Sequence, residues 1–338
     1  MRPVLKSALR RLWRDRSTLQ IGLDPDRALV LAGCDDETVR VLDALDGTRE
    51  RAPGGTAGRE PSDQRLVELL MSAGVLDDAG ASTAPVPGLD RDHRDRLAPD
   101  LASLSVLTGT PDAGLGPLRR RRDAAVRVHG AGRIGTALAL LLAGAGVGAI
   151  DVQDPGPTRP ADCAPGGLAL ADVGRRRDAA TRDLLAQFPV RYEWSGTRPS
   201  AVVLVGPACA DLRLRAELLR AGVPHLAAAV RETTGLVGTF VLPARSACLR
   251  CLDLHRADRD PAWPVLAAQL ANGGAAVEAC DTVLAAAVAA CAAREVLTLL
   301  DGGEQPTTVG GTVELALPSW RWRRRTWPPH PDCHCLGD

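Results

Sequence analysis

Along the chain the hydrophobic pattern changes period several times, and each change predicts an element. The sharpest run alternates at Val126 and Val128, breaks at Gly130, continues as an apolar stretch over 136–145, and ends in Val147-Gly148-Ala149-Ile150-Asp151. Period two, a glycine turn, a helical run and a second short apolar run predict a strand–turn–helix–strand unit with an acid at the end of its second strand. Downstream, the pattern predicts a helix over 172–185, a buried strand over 201–205, a helix over 211–221 and a strand over 225–230. An antiparallel excursion over 235–242 and a long Ala-rich helix over 281–300 follow. Strands alternating with helices across short loops imply an α/β fold with a Rossmann-like, mainly parallel sheet.

The first 80 residues read differently. Apolar runs over 18–23 and 28–31 flank Asp24-Pro25-Asp26-Arg27, the signature of a β-hairpin. Asp35 or Asp36 then caps a helix carrying Val39, Val41, Leu42 and Leu45 and ending at Gly47. A Gly- and Pro-rich gap covers 52–61, and a second helix over 62–73 carries Leu66, Val67, Leu69 and Leu70. A hairpin with short helices predicts a small winged-helix-like module over 1–80. Its second helix carries Glu68 and little positive charge, so it is no nucleic-acid recognition helix. An open hairpin edge suits an extended peptide, the alternative being a purely structural cap. Residues 81–114 are expected to connect this module to a second domain over 115–338. Within them 81–88 is linker-like, 91–96 a solvated charge run and 97–107 an ordered connection.

Composition narrows the partners. The chain has 338 residues, 45% of them hydrophobic, enough for more than one folding unit. Lys+Arg and Asp+Glu balance at 41 each, so no global field favours nucleic acid or an anionic membrane. Lys6 is the sole lysine, so a site that normally depends on lysine must substitute arginine. The basic start lacks the apolar core of a secretory signal, and a cytoplasmic location is expected. The apolar runs 134–150 and 275–300 are broken by glycines or by Glu278, Asp281, Arg294 and Glu295, and neither reads as a membrane span. The arginine runs 119–122, 175–177 and 321–325 read as solvated faces, Arg177 excepted.

Nine cysteines in such a chain point to thiols or metal ligands. Cys248-Leu249-Arg250-Cys251 and Cys333-His334-Cys335 form two close pairs able to present four thiolates to one tetrahedral ion. The expectation is a structural zinc site stapling the C-terminal tail to the domain, with His330 or His334 able to replace a sulfur. A redox Cys-x-x-Cys pair, or coincidence, is the alternative. The glycine unit carries its own chemistry. Gly130 allows a tight turn, Gly132 lets backbone approach a phosphate, Gly135 lets helix and strand pack closely, and the helix N-terminus attracts the anion. Asp151, about 20 residues on, stands where an acceptor for a ribose hydroxyl is expected. A nicotinamide-dependent oxidoreductase could use the same unit, but no proton-donor constellation accompanies it here.

The glycine motif, the Asp151 strand, Asp172-Val173-Gly174 followed by Arg177, Cys248-x-x-Cys251 and the final cysteine pair occur in the order seen in ThiF/MoeB-like proteins. The chain resembles these relatives of ubiquitin-activating enzymes over residues 115–338. The resemblance implies ATP and magnesium as cofactors, adenylation of the C-terminal carboxylate of a small protein or peptide, and a homodimer. The N-terminal module is similar to winged-helix elements that hold leader peptides in ribosomal peptide natural-product pathways. Fusion of the two implies delivery of a precursor peptide to a modifying enzyme such as a cyclodehydratase.

The chain departs from the family at its charged positions. Where active members have Ser-Asn-Leu-x-Arg-Gln it has Pro160-Ala161-Asp162-Cys163-Ala164-Pro165, so the arginine expected to meet the triphosphate falls at Ala164. The family's lysine aligns with Arg177, and its magnesium-binding aspartate falls near Ala208, with Asp211 displaced by three residues. Asp154 follows Asp151 by one residue more than the family's Asp-x-Asp spacing. These departures imply a degenerate adenylation site, with Arg177, Asp154 and Asp211 as candidate catalytic residues. Arg159, Arg175 and Arg176 are the groups available to compensate.

Overall fold

A computed structural model describes residues 1–50, 61–192, 198–272 and 279–336. The Gly- and Pro-rich gap before Pro61 and the interrupting Glu278 lie outside the described residues. The chain divides into two compact units, Met1–Arg119 and Arg120–Asp338.

In the first unit, strands β2 (Arg11–Trp13), β3 (Thr18–Ile21) and β4 (Leu29–Ala32) form an antiparallel sheet in that order, and β1 (Pro3–Leu5) pairs with β5 (Leu76–Asp78). Register sets Leu19 opposite Leu31 and Ile21 opposite Leu29. The two-residue period therefore points Leu19, Ile21 and Leu31 into one core with Val41, Leu42, Val67 and Leu70. Helix α1 (Asp36–Asp43) starts where Asp35 accepts the Thr38 N–H at 2.8 Å, and α2 (Pro61–Ser72) follows. Residues read as a connection are themselves folded. They hold α3 (Ala79–Ser82), α4 (Arg91–Arg96) and α5 (Ala98–Thr108), and Val86 and Leu97 share a buried cluster with Leu115 and Leu118 of α6 (Leu115–Asp123). The physical reason is spacing: single apolar residues set far apart give no period, yet they converge once the helices turn.

The second unit is a mixed α/β fold built on a seven-stranded sheet. It contains β6 (Ala125–His129), α7 (Arg133–Gly144), β7 (Ala149–Gln153), α8 (Arg177–Leu185), β8 (Ala201–Val205), α9 (Leu212–Arg220), β9 (His225–Arg231) and β10 (Thr234–Val241). Then come α10 (Leu249–Arg259), α11 (Trp263–Asn272), α12 (Thr282–Asp301), β11 (Gly311–Ala316) and β12 (Arg321–Thr326). Strand order is β12-β11-β10-β9-β8-β6-β7, with β7, β6, β8 and β9 parallel and the other three antiparallel. All five residues of β8 are buried, as expected of a strand covered on both faces. Helices α7 and α12 pack on the face formed by Val126, Val128, Ile150, Val203 and Val205, while Val202 and Leu204 face a second cluster with Leu218, Leu249 and Cys251.

Helix α12 is long and apolar enough to cross a membrane by length and composition, but it packs here as a core helix against α7, β9 and β10. Its Glu295 is buried and accepts hydrogen bonds from Thr307 Oγ1, Thr308 N and Thr308 Oγ1 at 2.6, 2.8 and 2.6 Å. The helix expected from 172 begins only at Arg177. Asp172 instead closes a 3₁₀ turn, accepting the Ala169 N–H at 3.0 Å.

Candidate nucleotide turn and four-cysteine site

Strand β6 lies between β7 and β8, so the chain leaves it toward one side and returns on the other. Such a switch point opens a crevice at the carboxyl ends of the strands. The glycine turn sits there. Gly130 has φ +100°, and a Cβ on it would lie 2.8 Å from the Val205 carbonyl oxygen. A Cβ on Gly135 would overlap the Gly130 carbonyl. Gly132 is the N-cap of α7 and has no side-chain cap, leaving backbone N–H groups at the helix start directed outward.

The structure separates the two candidate aspartates. Asp151 is mid-strand rather than at the strand end, because β7 continues to Gln153. It pairs in register with Arg127, whose Nε donates to it at 2.7 Å. Asp154 instead reaches the turn and accepts the Ala131 N–H at 2.8 Å. Arg177 grips the same carboxylate with Nε at 2.8 Å and Nη2 at 2.7 Å, and donates through Nη1 to Asp162 at 3.1 Å. The Asp154 hydrogen bonds raise Arg177 above its ordinary value, outweighing burial. Burial alone would raise Asp162, yet hydrogen bonds from Arg159 and the charge of Arg177 hold it below the ordinary carboxylate value.

The arginines able to compensate are also engaged: Arg159 with Asp162, Arg175 with Asp172 and Asp183, and Arg176 with Asp178. Asp211 caps α9, its Oδ1 accepting the Arg213 and Leu214 N–H groups at 3.0 Å each. His129 ends β6 just before the glycine turn, where burial and then Arg127 lower its pKa. Sequence reasoning missed Arg133. The first residue of α7, it donates to Ala161 O at 2.7 Å, Cys280 O at 3.0 Å and Thr282 Oγ1 at 3.1 Å. Among the described residues its acceptors are all neutral, so its charge is uncompensated by any ion pair. Its place within the glycine motif was the available signal.

The four motif cysteines converge. Cys248 caps α10 and Cys251 lies in its first turn, so both sulfurs face the tail that carries Cys333 and Cys335. The Sγ separations are 3.9 Å for Cys248–Cys251, 3.7 Å for Cys248–Cys333 and 3.4 Å for Cys251–Cys335. A tetrahedral ion with sulfur ligands at about 2.3 Å requires edges of about 3.8 Å, so the donor set fits a metal ion. Burial and then the neighbouring sulfurs push Cys333 up to about 11 and Cys335 upward as well, because thiolates so crowded repel one another unless a cation lies between them. The group contains no histidine. His330 Nδ1 accepts the Asp332 N–H at 3.1 Å and its Nε2 donates to Asp258 at 2.9 Å.

No protein-family model matches the sequence, and no curated protein does. Solved structures do match in fold. The microcin C7 biosynthetic enzyme MccB, in complex with N-formylated MccA, superposes with TM-score 0.73 at 12% identity over 99% of both chains. E. coli MccB with ATP gives TM-score 0.71 at 13% identity, again over 99% of each. PaaA gives TM-score 0.72 at 17% identity over 96% of this chain and 99% of that one. At such identities the likeness establishes a shared fold: this chain has the α/β architecture of MccB and PaaA along nearly its whole length.

Proposed function

We propose that this chain is a ThiF-like peptide-handling protein. Its N-terminal module holds a precursor (leader) peptide, and its α/β unit presents that peptide to a partner modifying enzyme such as a cyclodehydratase. The observation that carries this reading is the state of Arg177, held by two carboxylates at the position of the family's phosphate-facing lysine. Adenylation gathers negative charge on phosphate oxygens and depends on positioned, uncommitted cations and metal. To meet a triphosphate Arg177 must leave both Asp154 and Asp162, while Asp211 is committed to its helix cap. In the β2-β3-β4 sheet, β2 and β4 are edge strands, the kind of element an extended peptide can join as a further strand. MccB, with which the fold is shared, has been solved in complex with N-formylated MccA.

Zinc in the four-cysteine site supplies structural closure in this reading and no catalysis. The alternative, a working ATP- and magnesium-dependent adenylyltransferase, is favoured by the intact glycine turn and by Arg133. The outward N–H groups of α7 and Arg133 would then hold phosphates, with Asp154 or Asp211 holding magnesium. Calorimetry with a precursor peptide and with ATP–magnesium, alongside pyrophosphate exchange, tests the choice. Peptide binding without nucleotide and no exchange is the expected result; exchange stimulated by the peptide would establish the alternative.

A further inference from the structure

On the sheet face opposite α7 and α12, a cavity of about 770 Å³ opens between β9, β10, α9, α10 and α11. Its floor is apolar, made by Ala227, Ala229, Leu212, Leu219 and Leu236. Its charge is one-sided: Arg215, Arg231, Arg250 and Arg256 line it against a single acid, Asp253. That acid is already shared, accepting from Arg215 at 2.6 Å, Arg256 at 3.4 Å and Trp263 Nε1 at 3.3 Å. Among the described residues Arg231 has no ion-pair partner. Arg256 stacks on the Trp263 ring at 4.9 Å, and burial and then Arg231 lower its pKa. Arg231 and Arg250, neither in an ion pair among the described residues, leave positive charge over this apolar floor, moderated by the four-thiolate site whose Cys248 also lines the cavity.

Register locates that field. Ala228 of β9 pairs with Val205, the last residue of β8 beside the glycine turn, and Arg231 lies three residues further along β9. At about 3.3 Å per residue this is about 10 Å beyond the strand ends that form the switch point. An anion on Arg231 and Arg256 is therefore distinct from a terminal carboxylate or phosphate at the turn. A carboxylate flanked by apolar groups complements both the charge and the floor.

Resting on the peptide-handling reading above, we infer that this cavity selects a peptide segment carrying an acidic side chain between apolar residues, the carboxylate seated on Arg231 and Arg256. The test titrates the full, zinc-loaded chain with Ac-Leu-Glu-Leu-NH2, Ac-Leu-Gln-Leu-NH2 and the free acid Ac-Leu-Gln-Leu-OH, following the heat of binding. The glutamate peptide is expected to bind about tenfold tighter than the glutamine amide, with the preference falling as salt rises. Arg231→Gln should reduce the preference to about twofold or less, with thermal melting unchanged because Arg231 is exposed. Arg256→Lys provides a second variant that retains a charge. Equal affinities, a preference that survives Arg231→Gln, or stronger binding of the free acid would each overturn the inference. If the precursor peptide still binds while the tripeptides do not discriminate, this inference fails and the peptide-handling reading stands.

Discussion

Lys6, the chain's single lysine, is 1% exposed and donates to Asp77 at 2.8 Å, Ser105 Oγ at 2.7 Å and the Thr110 carbonyl at 2.7 Å. An isolated buried ammonium would be strongly unfavourable, but here every donor has an acceptor. Lys6→Met would leave the buried Asp77 without its counter-charge, keeping only hydrogen bonds from Ser105 and the Ala113 N–H, and is expected to lower the unfolding free energy by about 3 kcal/mol in urea denaturation. A loss below about 1 kcal/mol would show that the network is not a determinant of the first unit's stability. Asp211→Ala removes a helix cap and should cost about 1 kcal/mol in the same assay. It should leave precursor-peptide affinity unchanged; a drop in affinity would return Asp211 to the binding site. Composition revealed that Lys6 was scarce, but its partners lie on other elements and carry no sequence signal.

At the scale of elements, β11 and β12 are joined by Glu314, which pairs with Arg323 at 2.7 Å and Arg325 at 2.6 Å. Burial alone would raise the Glu314 carboxyl, but hydrogen bonds from Arg325 and Arg323 outweigh it and hold the group below its ordinary value. Its stabilising contribution is therefore present above the unfolded-chain carboxylate pKa and is lost as pH falls through the lower folded value. Thermal melts from neutral pH to about pH 3 should show an acid-dependent loss that Glu314→Gln reduces. An identical acid response in both proteins would remove Glu314 from the account.

Gly135→Ala places a methyl group against the Gly130 carbonyl, and should destabilise the second unit by about 1–3 kcal/mol or more through forced backbone shifts. These elements also divide by legibility. The hairpin of β3 and β4, helices α1 and α2, and the run from β6 through α9 have periodic apolar residues with recognisable caps and turns. By contrast β1, β2 and β5 are three residues each, too short to show a period. Strand β12, Arg-Trp-Arg-Arg-Arg-Thr, reads as solvated charge and is an edge strand whose exposed arginines discourage further pairing.

For the whole molecule, the four-cysteine site ties the tail after β12 to the start of α10, closing a long loop. Metal analysis should find near one zinc per chain, and Cys335→Ser or a strong chelator should lower the melting temperature and release the tail to proteolysis. Metal-free protein melting at the same temperature as the loaded form would refute a structural ion.

What the sequence by itself determined was local or periodic: the strands and helices from β6 through β10 and helix α12, though not α10, α11, β11 or β12, together with the glycine turn and the two cysteine pairs. Each rests on residues close in the chain, where steric rules and ligand spacing act directly. The tertiary structure alone decided which charges meet. It put Asp154 rather than Asp151 on the turn, clamped Arg177 between two carboxylates, turned Asp211 into a cap, buried Lys6 and gathered arginines around one cavity. Charged side chains are long, and their partners are set by strand register and helix packing rather than by neighbours in sequence.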